Sequence, residues 1–365
     1  MKRTFVLAIL IIFLFSGCSS SHLLENQALA VSMGVDYTGG VFNITVQVPS
    51  ISAPNDAQEK GGSGGYLIYS ASDVDFIKAY HMLEASLPME LNLSLIKSIV
   101  FSEEFSKSDA FSDTLSLLVH MFSLSLNASV IVTRSEANEF LKNQKPFIGK
   151  RLSVTIPNMI EYRTNGGYIV NTSLSSLYAG LESEYSTAKC ALADTASPTP
   201  SGELMAGEIA REGENKNEYM GCALFDREKL VLLLNGWETQ LMHFICGTGG
   251  HTANISDPSP VRLTARKPRD IEITPLDGRI RIHLDMYLDV TPLIAFPDMD
   301  KLSAYIKSET EKLIEKCQTH HIEPFGFSDI AARRFLTNDE WMNYDWLQKF
   351  SEAEILISVS LIGEK

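Results

Sequence analysis

Three clusters in this chain have residue types that could do chemistry. His243, Cys246 and His251 fall as H-x2-C-x4-H, with Gly247, Gly249 and Gly250 bending the backbone beside them. Imidazole and thiolate can grip zinc, but a structural zinc takes four ligands, commonly in close Cys/His pairs, and no fourth is near. The segment therefore reads as a strand end running into a glycine turn, with no metal. Gly61-Gly62-Ser63-Gly64-Gly65 is rich enough in glycine to approach a phosphate. A phosphate cradle also needs a strand before it, a helix directly after it and usually a lysine. Here Tyr66-Leu67-Ile68-Tyr69 follows, which reads as a strand, so the run is a loop. His320-His321 falls at a predicted helix end, where imidazole can meet the last carbonyls. H-E-x-x-H and P-loop patterns are absent from the sequence, and G-x-S-x-G spacing occurs within the Gly61–Gly65 run, where a strand follows in place of the helix that a nucleophile elbow needs. The expectation is a protein without catalytic residues and without a cofactor.

The residue that does carry chemistry is Cys18. Lys2 and Arg3 precede an unbroken apolar run, Phe5 to Phe15, followed by Ser16-Gly17-Cys18. The run is too short for a span of about twenty residues and has the layout of a secretory signal. A cysteine at the cleavage point makes it a lipoprotein signal, with cleavage after Gly17. Cys18 would then carry an S-diacylglyceryl group and an N-acyl chain, and two chains suffice for stable anchoring. Ser19 to Ser21 begin a short polar tether.

The formal charge is −14. An acidic surface is repelled by nucleic acid and by anionic headgroups, so nucleic-acid binding is excluded and the lipid must supply the membrane attraction. No later apolar run reaches spanning length. Cys190, Cys222, Cys246 and Cys317 remain beyond Cys18. They could form two disulfides in three connectivities, or serve as buried small hydrophobes.

These residues must be held by the roughly 350 residues that remain of the 365 after cleavage, long enough for two or three domains. Ala28 to Val35 reads as an apolar strand. Phe42, Ile44, Val46 and Val48 alternate with polar neighbours in a second, and Asp36 to Gly40 joins the two as a hairpin. Helices are predicted over Asp73 to Leu87, from Ser135 as N-cap, and over Thr172 to Tyr185, with an apolar stripe at Phe111, Leu115, Leu118 and Phe122. Leu91 to Phe101 and Ser129 to Thr133 read as strands.

Loop chemistry at 194–218 marks the boundary between an N-terminal α+β region, 28–193, with room for two subdomains, and a C-terminal α+β domain, 219–365. Residues 1–17 are the signal and 18–27 the tether. The second region opens with strands Tyr219 to Phe225 and Leu230 to Leu234, and Asn235-Gly236 reads as a turn. Ile280 to Val290 alternates strictly, as a long strand of a sheet with one open face. Asp300 to His321 is an amphipathic helix with Leu302, Ile306, Thr310, Leu313 and Cys317 on its stripe. Thr337 to Glu340 has capping-box spacing before a helix carrying Trp341, Trp346 and Phe350. Ile355 to Leu361 is a closing strand. The fold class is α+β, multidomain, with mainly antiparallel sheets backed by helices.

Ala28 to Tyr37 running into Ile44-Thr45-Val46-Gln47-Val48 resembles the Ger(x)C family, the lipoprotein C subunits of spore germinant receptors. Gly221-Cys222-Ala223-Leu224-Phe225, Lys229-Leu230-Val231 and Leu234-Asn235-Gly236 with Glu238-Thr239 are similar to the family's second half. So are Phe325-Gly326-Phe327 and the Trp341 and Trp346 pair. The chain departs from the family in having Ser19-Ser20-Ser21 in place of a Trp-Asp pair after the lipidated cysteine. It has Thr337-Asn338 where a proline commonly precedes the first late tryptophan, and its two tryptophans are closer together. The resemblance implies a non-enzymatic receptor component of three α+β domains. It would be held by Cys18 on the outer face of the spore's inner membrane, acting with a multi-spanning A subunit and a transporter-like B subunit in the response to small nutrients. The competing reading is a solute-binding lipoprotein of a transporter, which requires two α/β lobes of repeated βαβ units around a cleft. A surface hydrolase would need a nucleophile and base that the sequence does not display.

Overall fold

The computed structural model describes residues 26–49, 65–121, 123–146, 151–196, 204–211, 213, 215–247, 252–256, 258–266, 269–276 and 279–363. Cys18, the whole signal, Phe122, His251 and most of the two glycine- and proline-rich loops lie outside them.

Fifteen strands and eleven helices are described, and they make two lobes. In chain order the first lobe has strands β1 (Gln27–Leu29), β2 (Ser32–Thr38), β3 (Val41–Pro49) and β4 (Tyr66–Asp73), then helix α1 (Phe76–Ser86), β5 (Glu90–Asn92) and β6 (Ser98–Ser102). Helices α2 (Glu103–Ser106) and α3 (Phe111–Met121), strand β7 (Ser129–Thr133) and helices α4 (Ala137–Asn143), α5 (Leu152–Asn165) and α6 (Leu174–Leu181) follow, then β8 (Lys189–Thr195), β9 (Asn217–Phe225) and β10 (Leu230–Leu234). The second lobe has α7 (Gly236–Cys246), β11 (Thr252–Ile255), β12 (Val261–Ala265), β13 (Asp270–Leu276), β14 (Arg279–Pro292) and α8 (Met299–Thr319). Short helices α9 (Phe327–Ala332), α10 (Asn338–Tyr344) and α11 (Trp346–Ser351) lead to the closing strand β15 (Glu354–Gly363).

An eight-stranded sheet in the order β10-β9-β8-β7-β6-β2-β3-β4 forms the first lobe. Its flanks are hairpins. Gly39 and Gly40 turn β2 into β3 with φ of 60° and 85°, the left-handed pair that a two-residue hairpin demands and that glycine adopts without strain. The middle four strands, β2, β6, β7 and β8, are parallel. Being buried on both faces, these strands send alternate residues to two apolar layers. Ile99, Phe101, Val130 and Val132 pack with α1, α3 and α6, while Val100 and Ile131 pack with Phe140 and Leu141 of α4 and Ile156 and Ile160 of α5.

The second sheet, β11-β12-β14-β13 with β15 parallel along the other edge of β14, is mainly antiparallel. The strict alternation of β14 buries Ile280, Ile282, Leu284, Met286, Leu288 and Val290. They face the stripe of α8, in which Leu302, Ile306, Thr310, Leu313 and Cys317 are all buried as their spacing requires. Each such Leu or Ile contributes roughly 1.5–3 kcal/mol. The opposite face of β14 is open and polar, with Arg281 paired to Glu354 at 2.8 Å and Tyr287 donating to Asp270 at 3.1 Å.

Several expectations change. The strand expected over Leu91 to Phe101 is two, β5 and β6, because Asn92 accepts the Ser94 N–H at 2.9 Å and turns the chain. The helix expected from Asp73 starts at Phe76, since Asp73 finishes β4 and Asp75 caps the helix by accepting from Lys78 N at 2.9 Å. Ser135 does not cap α4. Its first N–H groups, Ala137 and Asn138, are taken by the buried carboxylate of Asp36 on β2 at 2.6 and 3.1 Å. Asn235-Gly236 is not a turn between strands but the start of α7, capped by a full Asn235/Glu238 capping box. The residues His243 to Cys246, expected at a strand end, are therefore the last turn of a helix that Gly247 ends at φ 63°. The late tryptophans sit on two helices broken at Asp345, whose φ is 51°. Helix α5 went unforeseen in the sequence pattern, and it carries Pro157 inside.

The loop at 194–218 does not separate the sheets: β8 and β9 pair across it. Strand β9 is instead a wall common to both lobes. Ala223 and Phe225 face the first core, and Cys222 and Leu224 face the second.

A cleft at the junction of the lobes

The segment entering β8 and the segment leaving α8 clasp each other. Helix α8 ends with His320 at its C-cap and His321 in the left-handed region at φ 53°. The His320 ring meets the Lys316 carbonyl at 2.8 Å, the capping role expected of it. The chain then runs through Glu323 to Ser328. Glu323 is 2% exposed. Its carboxylate accepts from Phe325 N at 2.7 Å, in the turn, and from Ser328 N at 2.8 Å, a free amide of the first turn of α9 that Gly326, as N-cap, has no side chain to satisfy. Burial pushes the Glu323 carboxyl above its ordinary value, against the pull of these donors.

The backbone of this turn is held from the first lobe. Thr187 Oγ1 donates to Glu323 O at 2.7 Å, and Lys189 Nζ donates to Pro324 O at 2.8 Å. From the second lobe, Arg269 donates to Phe325 O at 3.1 Å and to Ile245 O at the end of α7. In return, Ser328 Oγ donates to Tyr185 O, and Trp341 Nε1 donates to Glu184 O at 3.2 Å. Tyr185 stacks on Trp341 with ring centroids 5.7 Å apart, and Trp341 stacks on Trp346 at 5.9 Å. Phe325, Phe327 and Phe350 close the core beneath. Arg227, in the turn between β9 and β10, pairs with Glu184.

Two adjoining hollows of about 500 and 530 Å³ flank this clasp and share Gly180, Ser183, Ser186, Thr187, Ala188 and Glu323. The hydroxyls, Asp226, Arg227 and Glu228 make the walls polar, and Trp341 and Trp346 floor one side. This composition suits recognition. The clasp crosses the lobes through backbone carbonyls, so it couples their positions without depending on any reactive group.

Of the H-x2-C-x4-H cluster, His251 lies outside the described residues. His243 Nε2 lies 3.1 Å from Ile169 O, and Cys246 Sγ donates to Pro324 O at 3.6 Å; the two side chains serve separate carbonyls. Among the described residues no group of three or more His, Cys, Asp or Glu is placed to hold a metal. Cys190, Cys222, Cys246 and Cys317 are all free thiols. Burial pushes Cys222 up to about 12 and raises Cys190 and Cys317 as well, so these three are inert packing residues. Cys18 lies outside the described residues.

Phe325-Gly326-Phe327 and the two tryptophans were singled out from the sequence, and they are the heart of the junction. Glu323, Lys189, Arg269 and Asp36 were not. Glu323 had a local signal, an acidic residue just ahead of Phe-Gly-Phe-Ser. The others act across long separations that carry no local pattern.

Two family models match the chain in order. One, described as the spore germination protein N-terminal domain, matches residues 20–191. The other, described as spore germination B3/GerAC-like, C-terminal, matches residues 220–362. A protein of Bacillus subtilis (strain 168), described as spore germination protein YfkR, is 26% identical over 150 residues. That match spans 39% of this chain and 38% of the relative. The crystal structure of the GerBC protein superposes with a TM-score of 0.52 at 15% identity, covering 91% of this chain and 97% of that one. At that identity the likeness speaks for the fold.

Proposed function

We propose a function from one premise: the chain belongs to the GerAC family of spore germination proteins, whose two models together cover most of it. It acts as the C subunit of a nutrient germinant receptor, with a multi-spanning A subunit and a transporter-like B subunit. It is a structural or regulatory component without catalysis of its own. Cys18 carries the S-diacylglyceryl and N-acyl chains after cleavage behind Gly17, and holds both lobes on the outer face of the spore's inner membrane. A tether raises the effective concentration of the domain near its partners without strong contacts.

The observation that carries the reading is the ordered pair of family matches behind a lipoprotein-type signal. The solute-binding alternative draws support from the parallel block of the first sheet, but it needs a second lobe of the same kind. The second sheet here is made of antiparallel strands with one parallel closing strand. Fractionation of spores tests the reading. The parent chain should sediment with the inner membrane and co-purify with both membrane subunits, while Cys18→Ala should lose the lipid label and shift to the soluble fraction. A Cys18→Ala chain that stays membrane-bound at the parent's level would overturn the anchor.

A further inference from the structure

The segment that follows Cys18 enters the fold through β1, and β1 leads directly into β2. Leu29 pairs with Asn92, and Ser32, the first residue of β2, pairs with Ser98, the first of β6. Ser98 pairs in turn with Ser129, the first of β7. The chain therefore joins the first lobe at the edge of the sheet where its parallel strands begin. Two tight turns lie side by side on that edge. Leu93 O accepts from Ile96 N at 3.2 Å ahead of β6, and Ser125 O accepts from Ala128 N at 3.0 Å ahead of β7. Ser129 N donates to Lys97 O at 2.9 Å and ties one turn to the other.

The turn tips are Ser94-Leu95 and Leu126-Asn127. Ser and Asn are ordinary turn residues, and leucine is not. Leu95 is 53% exposed and Leu126 42%. An apolar side chain exposed singly needs no explanation. Two at the tips of adjoining turns, beside the entry of a segment that begins with a lipidated cysteine, make a surface fitted to something apolar. The charges around them narrow the choice. The chain has 45 acidic residues, yet residues 93–97, 123–129 and 171–176, the last bridged to β7 through Ser173, hold none, and Lys97 is their only charge. The opposite edge, where β2, β4, β6 and β7 end, is acidic: Asp75, Glu103, Glu104 and Glu136 follow these strands there. Anionic headgroups repel that edge and leave the turn edge free to approach.

Reach favours the same orientation. Cys18 and Gln27 are nine steps apart in sequence, and a chain extends at most about 3.3–3.6 Å per residue, so Gln27 stays within about 30 Å of the lipidated cysteine. Strand β2, seven residues long, carries the sheet roughly 20 Å from the turn edge to the acidic one. Setting the acidic edge on the bilayer would use most of that reach. We propose that the turn edge of the first lobe rests on the bilayer that holds the acyl chains, with Leu95 and Leu126 in its interface and Lys97 reaching the headgroups. This rests on the Cys18 anchor and adds which face of the protein meets the lipid.

Site-directed fluorescence of the lipidated chain in phosphatidylethanolamine–phosphatidylglycerol vesicles tests it. A polarity-sensitive dye is placed at Leu95→Cys, Leu126→Cys or, on the acidic edge, Val74→Cys. All three positions are exposed, and the background is Cys246→Ser because Cys190, Cys222 and Cys317 are buried. Flotation of the same vesicles scores the anchor separately. The chain should float. The Leu95→Cys and Leu126→Cys dyes should shift to the blue and be quenched by nitroxide-bearing lipid, and the Val74→Cys dye should do neither. A floating chain whose turn dyes stay as wet as the Val74→Cys dye would overturn the orientation and leave the anchor standing. Quenching at Val74→Cys equal to that at the turns would do the same. A chain that does not float would overturn both. Turn dyes shielded only once the membrane subunits are added would assign this edge to a protein partner and so overturn the lipid contact.

Discussion

Replacing Glu323 attacks the junction at its most buried charge. In Glu323→Ala, the Phe325 and Ser328 N–H groups lose their acceptor inside the protein. Each stranded donor costs roughly 1–3 kcal/mol, and the relief of a desolvated carboxylate returns part of it, leaving a net loss of about 2–4 kcal/mol. Glu323→Gln keeps one acceptor oxygen and should lose about 1–2 kcal/mol. The pH dependence separates packing from charge. The folded carboxyl is raised above its ordinary value of 4.5, with burial as the main cause. The folded state therefore binds the proton more tightly than the unfolded chain. The group's stabilising contribution is fully present below about 4.5 and is lost as pH rises through the raised folded value. The deficit of Glu323→Gln against the parent should accordingly be largest near pH 4.5 and shrink toward neutrality. Urea unfolding followed by tryptophan fluorescence is the assay, because Trp341 and Trp346 stack within the junction. A Glu323→Ala chain within about 0.5 kcal/mol of the parent, the range of an ordinary surface change, would refute the reasoning. So would a Glu323→Gln deficit that does not change with pH.

Further expectations follow from the same contacts. Asp36→Ala should destabilise the first lobe by about 1–2 kcal/mol, since it uncaps α4 from a distant strand, and should raise hydrogen exchange at Ala137 and Asn138 before that of the β7 amides. Gly221→Ala should prevent stable folding or cost several times a typical substitution, because a Cβ at φ 113° would come 2.4 Å from Leu234 O in the neighbouring strand; loss of less than about 1 kcal/mol in chemical unfolding would contradict this. In a Cys18→Ser background, a maleimide should label at most Cys246 while the protein is folded and all four thiols in urea, since Cys190, Cys222 and Cys317 are buried. Prompt labelling of any of those three would show that the core opens.

Legibility from sequence followed the range of the interactions. Period-two and helical stripes lay in single segments, so β14, α8, β3 and the Thr337 capping box were readable outright, whereas the strand expected over Ala28 to Val35 is two, β1 and β2, and the hairpin turn is Gly39-Gly40 alone, with Asp36 to Thr38 inside β2. Asn235-Gly236 was ambiguous locally: the dipeptide signals a turn, and only Glu238 three residues beyond Asn235 marks a helix start. The parallel centre of the first sheet was hidden because each short strand there is largely buried on both faces and carries no clean alternation, and pairing direction is set by helical crossovers rather than by the strand itself. The loop at 194–218 reads as a boundary because it is polar, yet the hairpin beyond it completes the first sheet. At the junction the aromatic residues stood out by type, whereas the Lys189 and Arg269 contacts join residues 135 and 56 positions from their partners.

The central claim is that this chain serves nutrient-triggered germination from a lipid-held position. The most direct measurement is dipicolinate release across a nutrient panel from spores lacking the chain, carrying the parent gene, or carrying Cys18→Ala. The account predicts a selective loss of response to one or two nutrients in the deletion, restored by the parent and weakened with Cys18→Ala. Unchanged release on every nutrient, in a strain with no redundant receptors, would contradict it.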